Sequence, residues 1–189
     1  DALPEVNLGV RVKSISSGEW HSCAVLENNT VECWGWNAEG ELGLGVTGGD
    51  NTSIGDQAGE MGDSLPTVNL GEGRTARAVV LGPESDSSCA ILDNGSVKCW
   101  GYNGSGQLGI GDNAGLKNKI GDQPGEMGDD LPTVNLGVGR TAKALALGLL
   151  HTCAILDNGS VKCWGRNEFG ELGLGNTAIP NDRIGDEAD

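Results

Sequence analysis

The chain has 189 residues, of which 33 are glycine and only 37% hydrophobic, a composition that excludes a compact helical or Rossmann-type domain and favours short strands joined by tight turns. Its 27 acidic against 12 basic residues give a formal net charge of −15, a field that repels phosphate backbones and anionic headgroups, so nucleic acid and membrane surfaces are not expected as partners. The longest apolar runs, such as 142–150 with its Lys143, fall far short of the roughly 20 residues that span a bilayer.

The chain repeats itself, with units at 1–62, 63–128 and 129–189. Each begins with a Leu-Pro-x-Val-Asn-Leu stretch, from Leu3, Leu65 and Leu131. A first strand is predicted over 66–70 and 132–136, then a Gly-Arg turn, then a second strand over 77–81 and 143–147. A hairpin follows, with arms at 89–92 and 96–100 and its turn at Asp93-Asn94-Gly95. If Cys89 faces Cys99, the loop centres on Asn94 and holds three residues. Its third position needs the left-handed region, which Gly95 and Gly159 supply freely and Asn29 tolerates in the first unit. A fourth strand is expected either from the next unit's 66–70 segment or from the Leu-Gly-x-Gly stretch after the hairpin, which leaves each unit a four-stranded antiparallel propeller-type blade. Connectors such as the one from Ile54 to Asp63 and its copy from Ile120 to Asp129 close the units; a shortened copy starts at Ile184. The phase stops about three residues before a fourth unit would start, as in an array that continues. The absence of an initiator Met or signal sequence fits a mature form, a processed form or an excised window.

Hairpin geometry places the cysteines as cross-strand disulfides, Cys23–Cys33, Cys89–Cys99 and Cys153–Cys163, each closing about ten residues and contributing roughly 2–3 kcal/mol. That pairing points to an oxidising, extracellular or cell-surface setting. Asn-x-Ser/Thr sequons stand at Asn28, Asn51, Asn94, Asn103 and Asn158. Three of them, Asn28, Asn94 and Asn158, recur at the hairpin tip, where turn geometry alone also favours Asn. Asp56, Glu60, Asp63, Asp122, Glu126, Asp129 and Asp130 lie on glycine-rich connectors. They are calcium candidates by ligand type, yet the spacing lacks the alternating Asp pattern of a known calcium loop, and a solvated acidic loop is favoured. No cofactor is otherwise expected.

Trp34, Trp100 and Trp164 recur once per unit beside a disulfide, as core side chains do. Two residues on stand Trp36, Tyr102 and Arg166, varied within a fixed frame, which suggests an exposed contact row; Trp20 joins them as an interface candidate. No catalytic set emerges. His21 and His151 occupy equivalent positions in separate units, with Ser87 in the middle one, and the Gly-x-Gly runs follow from the repeat rather than from a nucleotide fingerprint.

The run Cys-Trp-Gly-x-Asn-x-x-Gly-(Gln/Glu)-Leu-Gly-x-Gly occurs three times, through Trp34, Gly35, Asn37, Gly40, Leu42, Gly43 and Gly45 and the matching residues of 100–111 and 164–175. In it the chain resembles the regulator of chromosome condensation repeat family over essentially its whole length. The resemblance implies a seven-bladed all-β propeller of four-stranded blades; three units are incomplete as a closed ring. The paired cysteines and acidic connectors depart from the nuclear exchange factor that names the family and resemble its secreted-type relatives. The expected function is a non-enzymatic extracellular β-repeat module with a structural or self-assembling role, whose partners are copies of itself or further repeats of the same chain. The alternative is a protein-binding propeller, such as an inhibitor or receptor ectodomain, engaging other proteins or glycans. Guanine-nucleotide exchange ranks third, because no residue here matches an exchange element.

Overall fold

A computed structural model describes residues 2–46, 53–111 and 118–175. Apart from two 3-10 turns at Gly62–Ser64 and Gly128–Asp130, its regular elements are strands. They form three antiparallel sheets in chain order: β1 (Val12–Ser17), β2 (His21–Leu26), β3 (Val31–Trp36) and β4 (Ser53–Ile54); then β5 (Ala76–Leu81), β6 (Ser87–Leu92), β7 (Val97–Tyr102) and β8 (Lys119–Ile120); then β9 (Ala142–Leu147), β10 (His151–Leu156) and β11 (Val161–Gly165). The fold is all-β and propeller-like, and neighbouring blades meet along their first strands, with β5 against β1 and β2, and β9 against β5 and β6.

The hairpin register follows from the turn. Cys23 faces Cys33, Cys89 faces Cys99 and Cys153 faces Cys163, and each pair is disulfide-bonded across a Cα–Cα distance of 4.1 Å. Asn29, Gly95 and Gly159 hold the left-handed turn position at φ 67°, 82° and 85°. Just before it, Asn28, Asn94 and Asn158 each accept a hydrogen bond from the backbone N–H two residues on, at 3.0–3.1 Å, which tightens the same turn.

Two strand assignments differ from expectation. The 66–70 and 132–136 segments do not form strands within their own sheets; Thr67 makes one antiparallel bridge, to Glu32 of the preceding blade. Pro66 and Pro132 have no N–H to give, and Asn69 and Asn135 turn their side-chain oxygens onto the N–H of Gly71 and Gly137. Little backbone is left for a ladder. The segments cross instead onto the blade before, where Val68 N–H donates to the Val31 carbonyl and Val134 N–H to that of Val97, both at 2.8 Å. The fourth strand is neither of the two expected stretches in full. It is the short β4 or β8, whose register pairs Gly35 with Ile54 and Gly101 with Ile120, and the next unit's segment extends that outer edge by its single bridge. The corresponding part of the third unit, near Ile184, lies outside the described residues.

The core is one layer of small aliphatics and disulfides running through all three blades, with Trp100 and Trp164 as its large members. A smaller cluster of Leu8, Ala24, Leu26 and Leu65 lies on the first blade, with Trp34 and Met61 against it. Trp34 is half-buried, unlike its two counterparts.

Candidate functional site

Adjacent blades are joined by a latch that recurs with the repeat. Trp100 of the second blade donates its indole N–H to the Glu41 carbonyl in the loop after β3, at 2.9 Å, and the Ser88 hydroxyl donates to the same oxygen at 2.9 Å. One blade on, Trp164 and Thr152 do the same to the Gln107 carbonyl, each at 2.9 Å. The loop reaches the indole only because Gly43 and Gly109 lack side chains. A Cβ there would stand 2.7 and 2.5 Å from the indole nitrogen, at φ 66° and 63°. The Leu-Gly-x-Gly stretch thus serves as a receptor for the next blade's tryptophan.

Beside the first latch lies a buried polar group. His21 Nε2 is 2.9 Å from Ser88 Oγ, a serine–histidine contact that residue spacing did not reveal. Ser88 spends its proton on the Glu41 carbonyl, so Nε2 must be the donor and the imidazole cannot act as a base toward that hydroxyl. Burial lowers the His21 pKa to about 4, which keeps the ring neutral. The Glu41 carboxyl accepts the Glu39 N–H at 2.8 Å, but burial drives its pKa up to about 7, and Asp86 and Glu39 add to the rise. Gln107 occupies the matching place, accepts the Ser105 N–H at 2.8 Å, and leaves its Nε2 buried without a partner, as Glu41 leaves Oε1. A neutral Glu41 therefore imitates Gln107. These groups link blades and are closed to a substrate.

The three hairpin-tip sequons are exposed. Asn103 is not suited to a glycan: it is 6% exposed, and its Oδ1 accepts the Leu108 N–H at 3.1 Å, as Asn37 accepts that of Leu42 and Asn167 that of Leu172. Its sequon is a by-product of the repeat's loop asparagine. Asn51 lies outside the described residues.

The connector carboxylates are mostly engaged by backbone. Glu60 Oε2 accepts the N–H groups of Gly55 and Gln57 at 2.7 and 3.1 Å, and those bonds hold its pKa below the usual range. Glu126 repeats the pattern with Gly121 and Gln123, both at 3.0 Å. Asp122 is buried beside it, and burial and Glu126 together raise its pKa. Asp129 accepts the Glu72 N–H at 3.1 Å. Asp56 and Asp130 are exposed. Among the described residues, no three acidic, histidine or cysteine side chains gather as a metal cluster.

The exposed row is real but uneven. Trp20 and Trp36, 64% and 41% exposed, are brought together in the first blade by the 2.9 Å hydrogen bond from Trp36 N–H to the Trp20 carbonyl. Tyr102 and Arg166 donate the same backbone bond to the carbonyls of Asp86 and Leu150 and are only half-exposed. Arg166 also lies 5.2 Å from the centroid of Phe169 and pairs with Glu168. Phe169, largely exposed, was not singled out from sequence; a lone phenylalanine where the other units have Glu39 and Ser105 was the available signal.

Three inter-blade bonds recur at both junctions with one polarity, while two at the first junction run the other way, from Gly45 N–H to the Gly121 carbonyl at 2.9 Å and from His21 Nε2 to Ser88 Oγ. In the recurring three the later blade gives the donors, through Val68, Ala76 and Trp100 toward the first blade and Val134, Ala142 and Trp164 toward the second; the earlier blade gives the carbonyls of Val31, Asn29 and Glu41, then of Val97, Gly95 and Gln107. The matching donors of the first blade, on Val6, Val12 and Trp34, and the matching acceptors of the third, on Gly159, Val161 and Glu171, face no further blade among the described residues. Val161 is 61% exposed, whereas Val31 and Val97 are fully buried. Ile155, Val6 and Leu3 are exposed for the same reason.

The regulator of chromosome condensation (RCC1) repeat family matches at residues 12–41, 85–107 and 142–171, once in each blade. The ultraviolet-B receptor UVR8 of Arabidopsis thaliana is 26% identical over 169 residues, 88% of this chain and 32% of the receptor. Protein pim1 of Schizosaccharomyces pombe is 28% identical over 164 residues, 86% of this chain and 28% of that protein. The chain therefore spans about a third of these relatives. In fold it resembles Prp20p of Saccharomyces cerevisiae, whose structure was described with its binding to Gsp1p and histones. The TM-score is 0.66 at 22% identity, over 93% of this chain and 37% of that one.

Proposed function

From a chain that carries three propeller repeats of the regulator of chromosome condensation type, we propose a non-enzymatic module that works by polar, head-to-tail stacking on further repeats of its own kind, in the same chain or in other copies of it, in an oxidising, extracellular setting. The observation that carries this reading is the set of three bonds that recurs at both junctions in one direction, which leaves donors and apolar surface at one end and acceptors and apolar surface at the other. Such a contact is heterologous, so each end engages the opposite end of a second molecule, and the product grows rather than stopping at a symmetric dimer. Repeat arrays need both terminal faces covered for the same reason. Three disulfides, two of them buried, support an oxidising compartment.

The experiment uses two single-end variants. Val6→Asp spoils the donor end and Val161→Asp the acceptor end, each by placing a charge in the new interface. Sedimentation is expected to show concentration-dependent oligomers for the wild type, monomers for each variant alone, and a heterodimer when the two are mixed. A wild type that stays monomeric at every concentration, or variants that still form higher oligomers alone, overturns the reading.

A second reading, capture of another protein, is favoured by the neighbouring exposed Trp20 and Trp36. Aromatic pairs of this sort are what interface hot spots use. It predicts that Trp20→Ala and Trp36→Ala leave self-association unchanged while abolishing the partner contact.

A further inference from the structure

In the second blade a buried ammonium holds the entry segment in place. Lys98 donates from Nζ to the Leu70 carbonyl at 3.0 Å and the Gly128 carbonyl at 2.6 Å, with Asp129 as its countercharge. The third blade puts Lys162 at the same strand position; a Cβ on Gly137 would lie 3.5 Å from its Nζ, against 3.4 Å between Gly71 and Lys98.

The first blade keeps most of the cradle and loses the cation; its Leu8 carbonyl also accepts the Val10 N–H at 2.7 Å, where the matching Glu72 N–H of the second blade goes to Asp129. Gly62 N–H donates to the Asn7 carbonyl at 3.0 Å, as Gly128 N–H does to that of Asn69 at 3.0 Å, and both glycines sit at φ 72°. Asp63 stands against Gly9 as Asp129 stands against Gly71: a Cβ would come within 2.6 and 2.7 Å of the two Oδ1 atoms. At the lysine position, however, stands Glu32. It is 6% exposed, and its Oε2 is buried with no hydrogen-bond partner. Burial, and then the Asp63 charge, raises its pKa. Two carboxylates thus share a cradle whose counterpart in the second blade is built around a positive charge.

We propose that the first blade binds a hard divalent cation, calcium, between the carboxylates of Glu32 and Asp63 and the carbonyls of Leu8 and Gly62, where the second blade uses a lysine. The donor set is all oxygen, the kind calcium takes, and flexible enough for water to complete the shell. A surface hollow lined by residues 5–11 includes Leu8, one of the proposed ligands. The site does not depend on the stacking reading above.

The test is calcium binding to the intact 189-residue chain, followed by calorimetry and by thermal melting with and without chelator. The wild type is expected to bind one calcium at the affinity of extracellular modules, about 10−4 to 10−3 M, and to melt higher with it. Glu32→Lys recreates the Lys98 arrangement and is expected to lose that binding and any calcium dependence of Tm, while melting at or above the chelated wild type. Glu32→Gln, which keeps the side chain's size, is expected to weaken binding by about tenfold or more even if the lysine variant folds poorly. No calcium response in the wild type overturns the proposal, as does a stoichiometry that Glu32→Lys and Glu32→Gln leave unchanged, which would place the ion on the Glu60 or Glu126 connectors instead.

Discussion

Glu41 and His21 titrate in opposite senses at one inter-blade contact. The folded state raises the Glu41 pKa to about 7, so the stability it contributes is present below the unfolded value near 4.5 and is lost as pH rises to about 7. His21 is depressed to about 4; its contribution is present above about 6.5 and is lost as pH falls through 4. Between about pH 4.5 and 6.5 the two slopes oppose each other and stability is expected to be nearly flat. Glu41→Gln, which reproduces Gln107, removes one of them. Denaturant titrations across pH are expected to show its stability rising from pH 4.5 to 6.5 and exceeding the wild type by roughly 1–3 kcal/mol at pH 8. The charge pattern gave no hint of this. Glu41 reads in sequence as one more acid in a loop, and becomes a buried acid only when Trp100 arrives from 59 residues away.

At the scale of the element, the loop glycines and the hairpin disulfides carry separable costs. Gly109→Ala must pay for a left-handed backbone and for a clash with Trp164, whereas Gly173→Ala, in the same loop of the third blade at φ 68°, has nothing within 4 Å of the added carbon. Thermal melts are expected to show a loss of about 1 kcal/mol for Gly173→Ala and about 2–4 kcal/mol for Gly109→Ala; equal losses would mean that the indole contact contributes nothing. Replacing Cys89 and Cys99 together by serine opens a ten-residue loop and is expected to cost roughly 2–3 kcal/mol by denaturant titration. The hairpins were legible from sequence because turn residues and cysteine spacing act within ten residues. The Leu-Pro-x-Val-Asn-Leu segments read as strands because their valines fit one, while in the fold proline and the asparagine turn leave each a single inter-blade backbone hydrogen bond, from Val68 or Val134.

For the whole molecule, the blade-to-blade bonds decide what the surface offers. Val6 and Val12 at one end and Ile155 and Val161 at the other are exposed, while their counterparts in the neighbouring units are buried between blades. The mixing experiment with Val6→Asp and Val161→Asp belongs to this scale, because only a directional contact makes two monomeric variants complement each other. The net charge of −15 opposes stacking of like-charged copies, so self-association is expected to strengthen as salt rises, measured by sedimentation at low and high ionic strength.

The sequence by itself determined the repeat, the all-β class, the hairpin register and the left-handed turn position, because each depends on neighbours a few residues apart and recurs three times. Tertiary structure alone decided which blade a segment packs on, that Asn103 is buried, that the Glu41 and Gln107 carbonyls receive the next tryptophan, and that Glu32 replaces a lysine in a cradle built for a cation. Those depend on groups some 30 to 60 residues apart meeting in space, where one substitution in a repeated frame changes the charge of a site without disturbing the pattern that announces it.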